Sequence, residues 1–283
     1  MEKGEWDNCT SPTEFLLLGM GNVPSLQTPL FLLLLMIYLV TMVGNFLIIV
    51  GVVADRHLHT PMYFFLSNLS SLETCYITEC YLLAVMSYDR YLAICQPLLY
   101  ASLMTWKVSL QLAAASWLVG FLIATTFSSF LPQLKFCGLQ AMDHFLCDLT
   151  PLLELSCNDT RVVTLLTFII SVLDVVIPFL FTLASYMCII AAILRISSNV
   201  GRQKAFSTCS SHLTVVCVFY GTLIIVYTLP RTPKLRQLNK VFSFLYTVLT
   251  PLVNPLIYSL RNREVREALG KVFRKALACT QSS

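Results

Sequence analysis

The chain has 283 residues, 57% of them hydrophobic and only 12% charged, with a formal net charge of +4 and a mean hydropathy of +0.74. A soluble domain carries roughly a quarter charged residues, so the composition excludes an ordinary water-soluble globule and makes lipid the solvent for most of the chain. The basic residues are concentrated in loops, which suits membrane orientation and not nucleic-acid binding.

Residues 1–28 are polar, and their apolar patch, Phe15 to Leu18, is short and lacks a basic start, so a secretory signal peptide does not fit. The first span is expected to act as the insertion signal. Asn8-Cys9-Thr10 is a glycosylation sequon, which puts this end outside the cell if used, although sequons are common by chance. Pro29 to Val53 is ample for the ~20 residues of a bilayer crossing. Asn45 within it is expected to point at other helices, because an unpaired amide in hydrocarbon is costly. After the polar turn Asp55 to Thr60, Pro61 suits the first turn of a helix, where its missing N–H costs nothing.

The next apolar stretch, Met62 to Met86, has 25 residues, or ~38 Å of helix. It leads into Asp89-Arg90-Tyr91, a membrane edge where charges reach interfacial water and a phenol sits at headgroup level. The triplet reads either as simple anchoring or as a latch to a neighbouring helix, and a latch that opens is a switch. Val108 to Leu131 is the following span, with Trp106 and Lys107 at its near interface and a small-residue run, Ala113 to Ser116, that allows close helix contact. Pro132 to Arg161 is a polar loop carrying Cys137, Cys147 and Cys157. His144 and Asp148 add metal-ligand types, but the paired short spacings of a structural zinc site are absent and no metal is expected.

Val162 to Leu194 contains Asp174, a carboxylate that at this depth must be protonated, paired or facing a wet cavity. A ligand-cavity role and packing against a polar neighbour are both open. Arg195 to Lys204 is a short basic loop, and the sixth span ends near Leu229. In Phe219-Tyr220-Gly221-Thr222, Tyr220 either lines a ligand cavity through its phenol or belongs to the core, and Thr222 is a cavity candidate beside it. Beyond the outer loop Pro230 to Lys240, the span Val241 to Leu260 contains PLVNPLIY. There Pro255 frees a backbone carbonyl and Asn254 can satisfy freed groups, giving a hinge. Asn262 to Leu277 interleaves basic and apolar residues like an amphipathic helix on the inner leaflet, and Cys279 is a palmitoylation candidate by position alone. The chain thus divides into an outer segment (1–28), a helix bundle (29–260) and an inner helix and tail (261–283). No catalytic constellation is visible, since His57, His59, His144 and His212 are scattered without nucleophile or carboxylate partners.

Taken together, Gly44-Asn45, PMYFFLSNLS, MSYDRYLAICQPL, LPQLKFCGLQAMDHFLCDLTPLLELSCNDT, KAFSTCSSHL and the seventh-helix NPLIY resemble the olfactory receptors, a large group within the rhodopsin-like G-protein-coupled receptors. The resemblance covers roughly Pro12 to Lys275. It implies an all-α polytopic membrane bundle on a seven-helix pattern, detection of a small odorant ligand, and signalling through a heterotrimeric G protein of the olfactory type, without enzymatic activity or cofactor. It assigns Asp89, Arg90 and Tyr91 to the face that meets the G protein. Lys204 and His212 fall at the inner end of the sixth helix, which swings to admit that partner, and Asn254, Pro255 and Tyr258 in the seventh-helix motif. It also implies a Cys137–Cys157 disulfide, with the position of Cys147 normally tied to the outer end of helix three.

The sequence departs from the family between Thr78 and Glu79, where second-helix text jumps into the inner half of the third. Two spans need about 40 apolar residues plus a turn, so roughly 35 residues are lacking. Helices two and three are truncated and fused, leaving six complete spans by hydropathy and no partner for Cys147, which is expected to be a free thiol in an oxidising compartment. With the N-terminus outside, twelve of the 19 Lys and Arg lie inside and the cysteine loop lies outside. That requires Pro61 to Cys95 to enter and leave on one face. A single span would invert everything after it. A re-entrant hairpin, the favoured form, would place Glu73, Thr74, Thr78 and Glu79 at a tip inside the membrane, where bare carboxylates cost several kcal/mol.

The expected location is the plasma membrane. The lost wall of the ligand cavity nevertheless leads to an expectation of endoplasmic-reticulum retention and no odorant response. A retained, nonfunctional product is therefore the alternative to a working receptor. A transporter or channel would want repeated halves, and no internal repeat is found.

Overall fold

The computed structural model describes residues 16–17, 24–71, 76–136, 141–142, 149–228, 236–261, 265–271 and 274. Apolar runs in lipid fold as helices because every backbone N–H and C=O must find its partner within the chain. The long helices are α1 (Pro24–Ala54), α5 (Trp106–Phe130), α7 (Arg161–Leu194), α8 (Asn199–Thr228) and α9 (Arg236–Arg261). Between them lie α2 (Pro61–Ser70), α3 (Tyr76–Cys95), α4 (Pro97–Leu103) and α6 (Leu149–Leu155).

Four of the described helices, over Thr28–Ala54, Trp106–Gln133, Arg161–Leu194 and Asn199–Val226, are long and apolar enough to cross a membrane. Their outward faces suit lipid, with Phe46, Phe121 and Phe168 exposed. The chain is thus a multi-pass all-α membrane bundle. Strand pairing among the described residues is confined to the cysteine-loop side, where β1 (Leu16–Leu17) pairs with β2 (Ala141–Met142) and Phe136 bridges Ser156. The core sits where α2, α3, α7, α8 and α9 meet, around the fully buried Phe65, Leu83, Met86, Ile189, Phe219 and Tyr258.

The fused segment is not one rod. α2 stops at Ser70, and the Ser71 N–H turns back to the carbonyls of Ser67 and Asn68. Phe64 packs on Trp106 at the start of α5, with ring centroids 4.7 Å apart, while Trp117, further along α5, donates from Nε1 to Asn68 Oδ1 at 3.2 Å. α2 therefore climbs along α5. α3 descends beside it: Thr78 lies against Gly120, and Asp89 near the other end of α3 meets Tyr100, just before α5 begins. The fold-back lies about 20 Å along α5, and both arms open on the face where α5 starts.

The hairpin's tip differs from the expectation in one respect. Thr78 and Glu79 belong to the first turn of α3, and Glu79 Oε1 accepts a hydrogen bond of 3.0 Å from Asn254 Nδ2, so this carboxyl group is not bare. Glu73 and Thr74 lie outside the described residues.

Two loop boundaries also move. Ser198 accepts from the Gly201 N–H through its hydroxyl and from the Arg202 N–H through its carbonyl, so α8 begins at Asn199 and carries Arg202 and Lys204 within the helix. The cysteine loop holds α6, whose Leu152 and Leu153 pack on Leu134 in a small separate core. Residues 265–271 are helical as the amphipathic pattern predicts, with Val265 and Ala268 buried. Lys271 Nζ meets Asp55 Oδ2 at 2.8 Å, which ties this helix to the turn between α1 and α2.

Candidate functional site

The C-terminal end of α3, expected from the sequence to face inward, collects the charged chemistry. Asp89 is fully buried and Arg90 is 8% exposed, which overturns the reading of the triplet as charges anchored in interfacial water. Arg90 donates from Nε to Asp89 Oδ2 at 3.0 Å and from Nη2 to the same oxygen. The Tyr100 hydroxyl donates to Asp89 Oδ1 at 2.8 Å, so both carboxylate oxygens are engaged. The contact thus runs from α3 to the neighbouring α4. Burial, followed by the adjacent Asp89 charge, pushes the Tyr100 phenol above its ordinary pKa.

Tyr63 on α2 and three long helices supply further neighbours of the guanidinium. Tyr186 on α7, Cys209 and His212 on α8, and Tyr258 on α9 all lie within its electrostatic reach. Tyr186 Oη and His212 Nδ1 are 2.6 Å apart, and their rings stack with centroids at 5.8 Å. With the phenol donating, Nδ1 accepts and Nε2 carries the proton. That Nε2 and the Tyr258 hydroxyl are buried and have no hydrogen-bond partner among the described residues. The present arrangement therefore leaves two polar groups near the buried guanidinium without a partner among the described residues.

The other residues expected from the sequence divide between this cluster and the opposite end of α3, where Asn254 sits. Tyr91 is half-buried, stacks on Tyr88 with centroids at 6.3 Å and accepts from Gln96 Nε2 at 3.3 Å. Lys204 is exposed on the first turns of α8. Asn254 reaches Glu79 in α3, and Pro255 packs against Gly44, where an added Cβ would lie 3.0 Å from the proline's Cβ. Sequence reasoning missed Tyr100 and Tyr186. Tyr100 sits one short helix beyond the triplet, and Tyr186 looks like any aromatic in an apolar run.

Deeper in the bundle, Asp174 is 4% exposed and lies within electrostatic reach of the Tyr81 phenol, while its Oδ1 has no partner among the described residues. Tyr220 is buried on the Phe179 ring, with centroids 4.9 Å apart, and lies within electrostatic reach of Asp174. Thr222 is half-buried and donates to carbonyls of its own helix, those of Val218 and Phe219. On the opposite face Cys157 is disulfide-bonded, and its N–H donates to the Lys135 carbonyl at 2.8 Å. Asn8, Cys137 and Cys147 lie outside the described residues.

Comparison with known proteins follows the same outline. The family model described as "Olfactory receptor" matches residues 71–276. Olfactory receptor 5G9 of Mus musculus is 42% identical over 305 residues, covering 95% of this chain and 97% of the relative. Olfactory receptor 2G3 of Homo sapiens is 44% identical over 300 residues, covering 94% and 97%. Both matched lengths exceed the 283 residues of this chain, so the relatives carry residues with no counterpart here.

Proposed function

The chain belongs to the olfactory receptor family, and from that premise we propose that it detects small odorant molecules and signals from the plasma membrane through a heterotrimeric G protein of the olfactory type. The observation that carries this reading is the buried Arg90 cluster, drawn from α3, α4, α7, α8 and α9 on the face that also holds the tail helix. Asp174 and Tyr220 are the ligand-side candidates, with Thr222 behind them. Cys137 pairs with Cys157 and leaves Cys147 as a thiol; in support, the bonded Cys157 lies against Lys135, close in sequence to Cys137.

A retained, nonfunctional product is the second reading, and the fold-back favours it. The hairpin stops about 20 Å along α5, so the wall that outer helix three would give a ligand cavity is absent.

The deciding experiment follows a terminal tag at the cell surface, the glycans on Asn8 and the second-messenger response to an odorant panel. A dose-dependent signal from surface-labelled chain is the expected result for a receptor. Immature glycans, no surface tag and silence to the panel would overturn it in favour of retention.

A further inference from the structure

The short α2 leaves a cavity of about 620 Å³ between α1, the end of α2 and α9, within the ~300–1,000 Å³ of small-molecule sites. It runs from Leu34 to Ile49 along α1 and from Thr247 to Pro251 along α9, near the middle of both helices and so at hydrocarbon depth. Tyr38 and Phe46 on its rim are 58% and 65% exposed, so its mouth opens to the membrane.

Most of the wall is apolar, but hydroxyls of Tyr38, Thr41, Ser70, Ser71 and Thr247 line it, and three of the five share one chemical state. Thr41 Oγ1 donates to the Ile37 carbonyl at 2.9 Å, Ser71 Oγ to Ser67 at 2.8 Å and Thr247 Oγ1 to Ser243 at 2.8 Å. Each has used its one proton on its own helix and presents only lone pairs. The C-terminal end of α2 adds its negative dipole end on the same side. Asn45, buried beside them, has an interaction of its own. A lipid acyl chain would fill this space and leave the acceptors unanswered. An alcohol would answer them, exchanging the water or headgroup partner that its hydroxyl keeps at the membrane interface for an acceptor here while its hydrocarbon body stays in an apolar wall.

We propose that this gap is a lipid-entered binding site for a small apolar alcohol, with its hydroxyl toward Thr41, Ser71 and Thr247 and its hydrocarbon body toward Leu34 and Val248. The site is separate from the Asp174 and Tyr220 region and does not depend on signalling.

The test uses the full chain in lipid nanodiscs, irradiated with a diazirine derivative of octanol. Labelling should saturate on the α1 and α9 peptides that line the gap. Excess octanol should displace it at least about tenfold better than octane, which has the same body without the hydroxyl. Thr41→Val and Thr247→Val keep the volume and remove an acceptor, and each should weaken displacement about fivefold, as one lost neutral hydrogen bond does. Val248→Trp should block labelling by filling the space while leaving the hydroxyls in place. Equal displacement by octanol and octane would mean that acyl chains merely occupy the gap, and would overturn the proposal, as would labelling that does not saturate or that falls on other helices. Binding is read directly, so a chain that takes octanol yet never signals keeps this site and loses the receptor reading.

Discussion

The two halves of this bundle differ in packing and not in how completely their polar groups are answered. Both hold buried polar atoms without a partner among the described residues, His212 Nε2 and the Tyr258 hydroxyl in one, Asp174 Oδ1 and the Tyr220 hydroxyl in the other. In the inner half, Asp89 holds both Arg90 and Tyr100, Tyr186 holds His212, and Lys271 holds Asp55. Beyond the fold-back, a cavity stands beside Ser70 and Ser71. The difference shows what a deletion between two helices removes and what it spares. The inner arms of helices two and three bury Phe65, Leu66, Leu82, Leu83 and Met86 against each other and their neighbours, so they carry their own packing and fold back as a pair. Losing the outer arms therefore costs the outer half its walls while the inner half keeps its contacts.

The largest effect should come from breaking the inner half at its centre. Arg90→Ala strips the fully buried Asp89 of its cation and leaves it the hydrogen bond from Tyr100. Removing one partner of a buried pair typically costs ~3–5 kcal/mol. G-protein coupling should be lost, basal signal included, while membrane insertion measured by tag accessibility stays unchanged, because an inner-end arginine does not drive insertion. Unchanged coupling in that variant would remove Arg90 from the switch.

The hairpin itself can be tested next, through two glycines. A Cβ at Gly120 would lie 2.0 Å from Thr78 Oγ1, 3.1 Å from Thr78 Cβ and 3.3 Å from its backbone nitrogen, so turning the hydroxyl away does not relieve the contact. Gly120→Ala should push α3 off α5 and cost ~1–3 kcal/mol, read as a lower midpoint when unfolding in detergent is followed by a thiol-reactive dye. Gly221 has nothing within 4 Å, and Gly221→Ala should raise the midpoint slightly, by at most ~1 kcal/mol of helix propensity. Equal behaviour of the two variants would mean that the close packing of hairpin on α5 is wrong.

A smaller effect is expected at Glu79, the polar link between the hairpin and the last helix. Its Oε1 takes one hydrogen bond from Asn254, which an amide oxygen can also take. Glu79→Gln should therefore leave the unfolding midpoint almost unmoved. Glu79→Ala, which strands the buried Asn254 amide, should lower it by ~1–3 kcal/mol. A large loss in the glutamine variant would show that the negative charge, and not the hydrogen bond, holds α3 to α9.

Hydropathy placed the long helices to within a few residues, as Pro29 to Val53 against α1 at Pro24–Ala54 illustrates. This works because lipid demands continuous apolar helix and little else of it. What sequence could not reveal were pairings between helices. Tyr186 and His212 are 26 residues apart, and nothing local distinguishes that tyrosine from a lipid-facing one. The choice between one span and a hairpin was equally closed to hydropathy, because length and composition fit both. In the structure α2 runs from Phe64 on Trp106 to Asn68 on Trp117, and α3 runs back from Thr78 on Gly120 to Asp89 on Tyr100, which is an antiparallel pair beside α5. The early start of α8 was missed for a simpler reason: Arg202 and Lys204 look like loop residues unless Ser198 is recognised as the cap.

The smallest effect concerns the tail, where the inner half meets water. Asp55 has a pKa below its ordinary value of 3.8, chiefly through the hydrogen bond from Lys271 and then through the His57 N–H. A carboxylate whose folded pKa is depressed contributes stability above its unfolded value and loses it as pH falls through the folded one. Docking of residues 265–271 should therefore be flat from neutral pH down to about pH 4 and weaken only below that. Lys271 is 51% exposed, so the contribution is modest and screened by salt. Hydrogen exchange of the tail helix is the measurement. Asp55→Asn should speed it a few-fold at neutral pH, and about 0.5 M salt should bring wild type most of the way to the variant. Exchange is compared as protection factors, corrected for the intrinsic slowing of amide exchange in acid. Protection that does not fall as pH drops below about 4, or that ignores Asp55→Asn, would show that Val265 and Ala268 hold the helix by apolar burial alone.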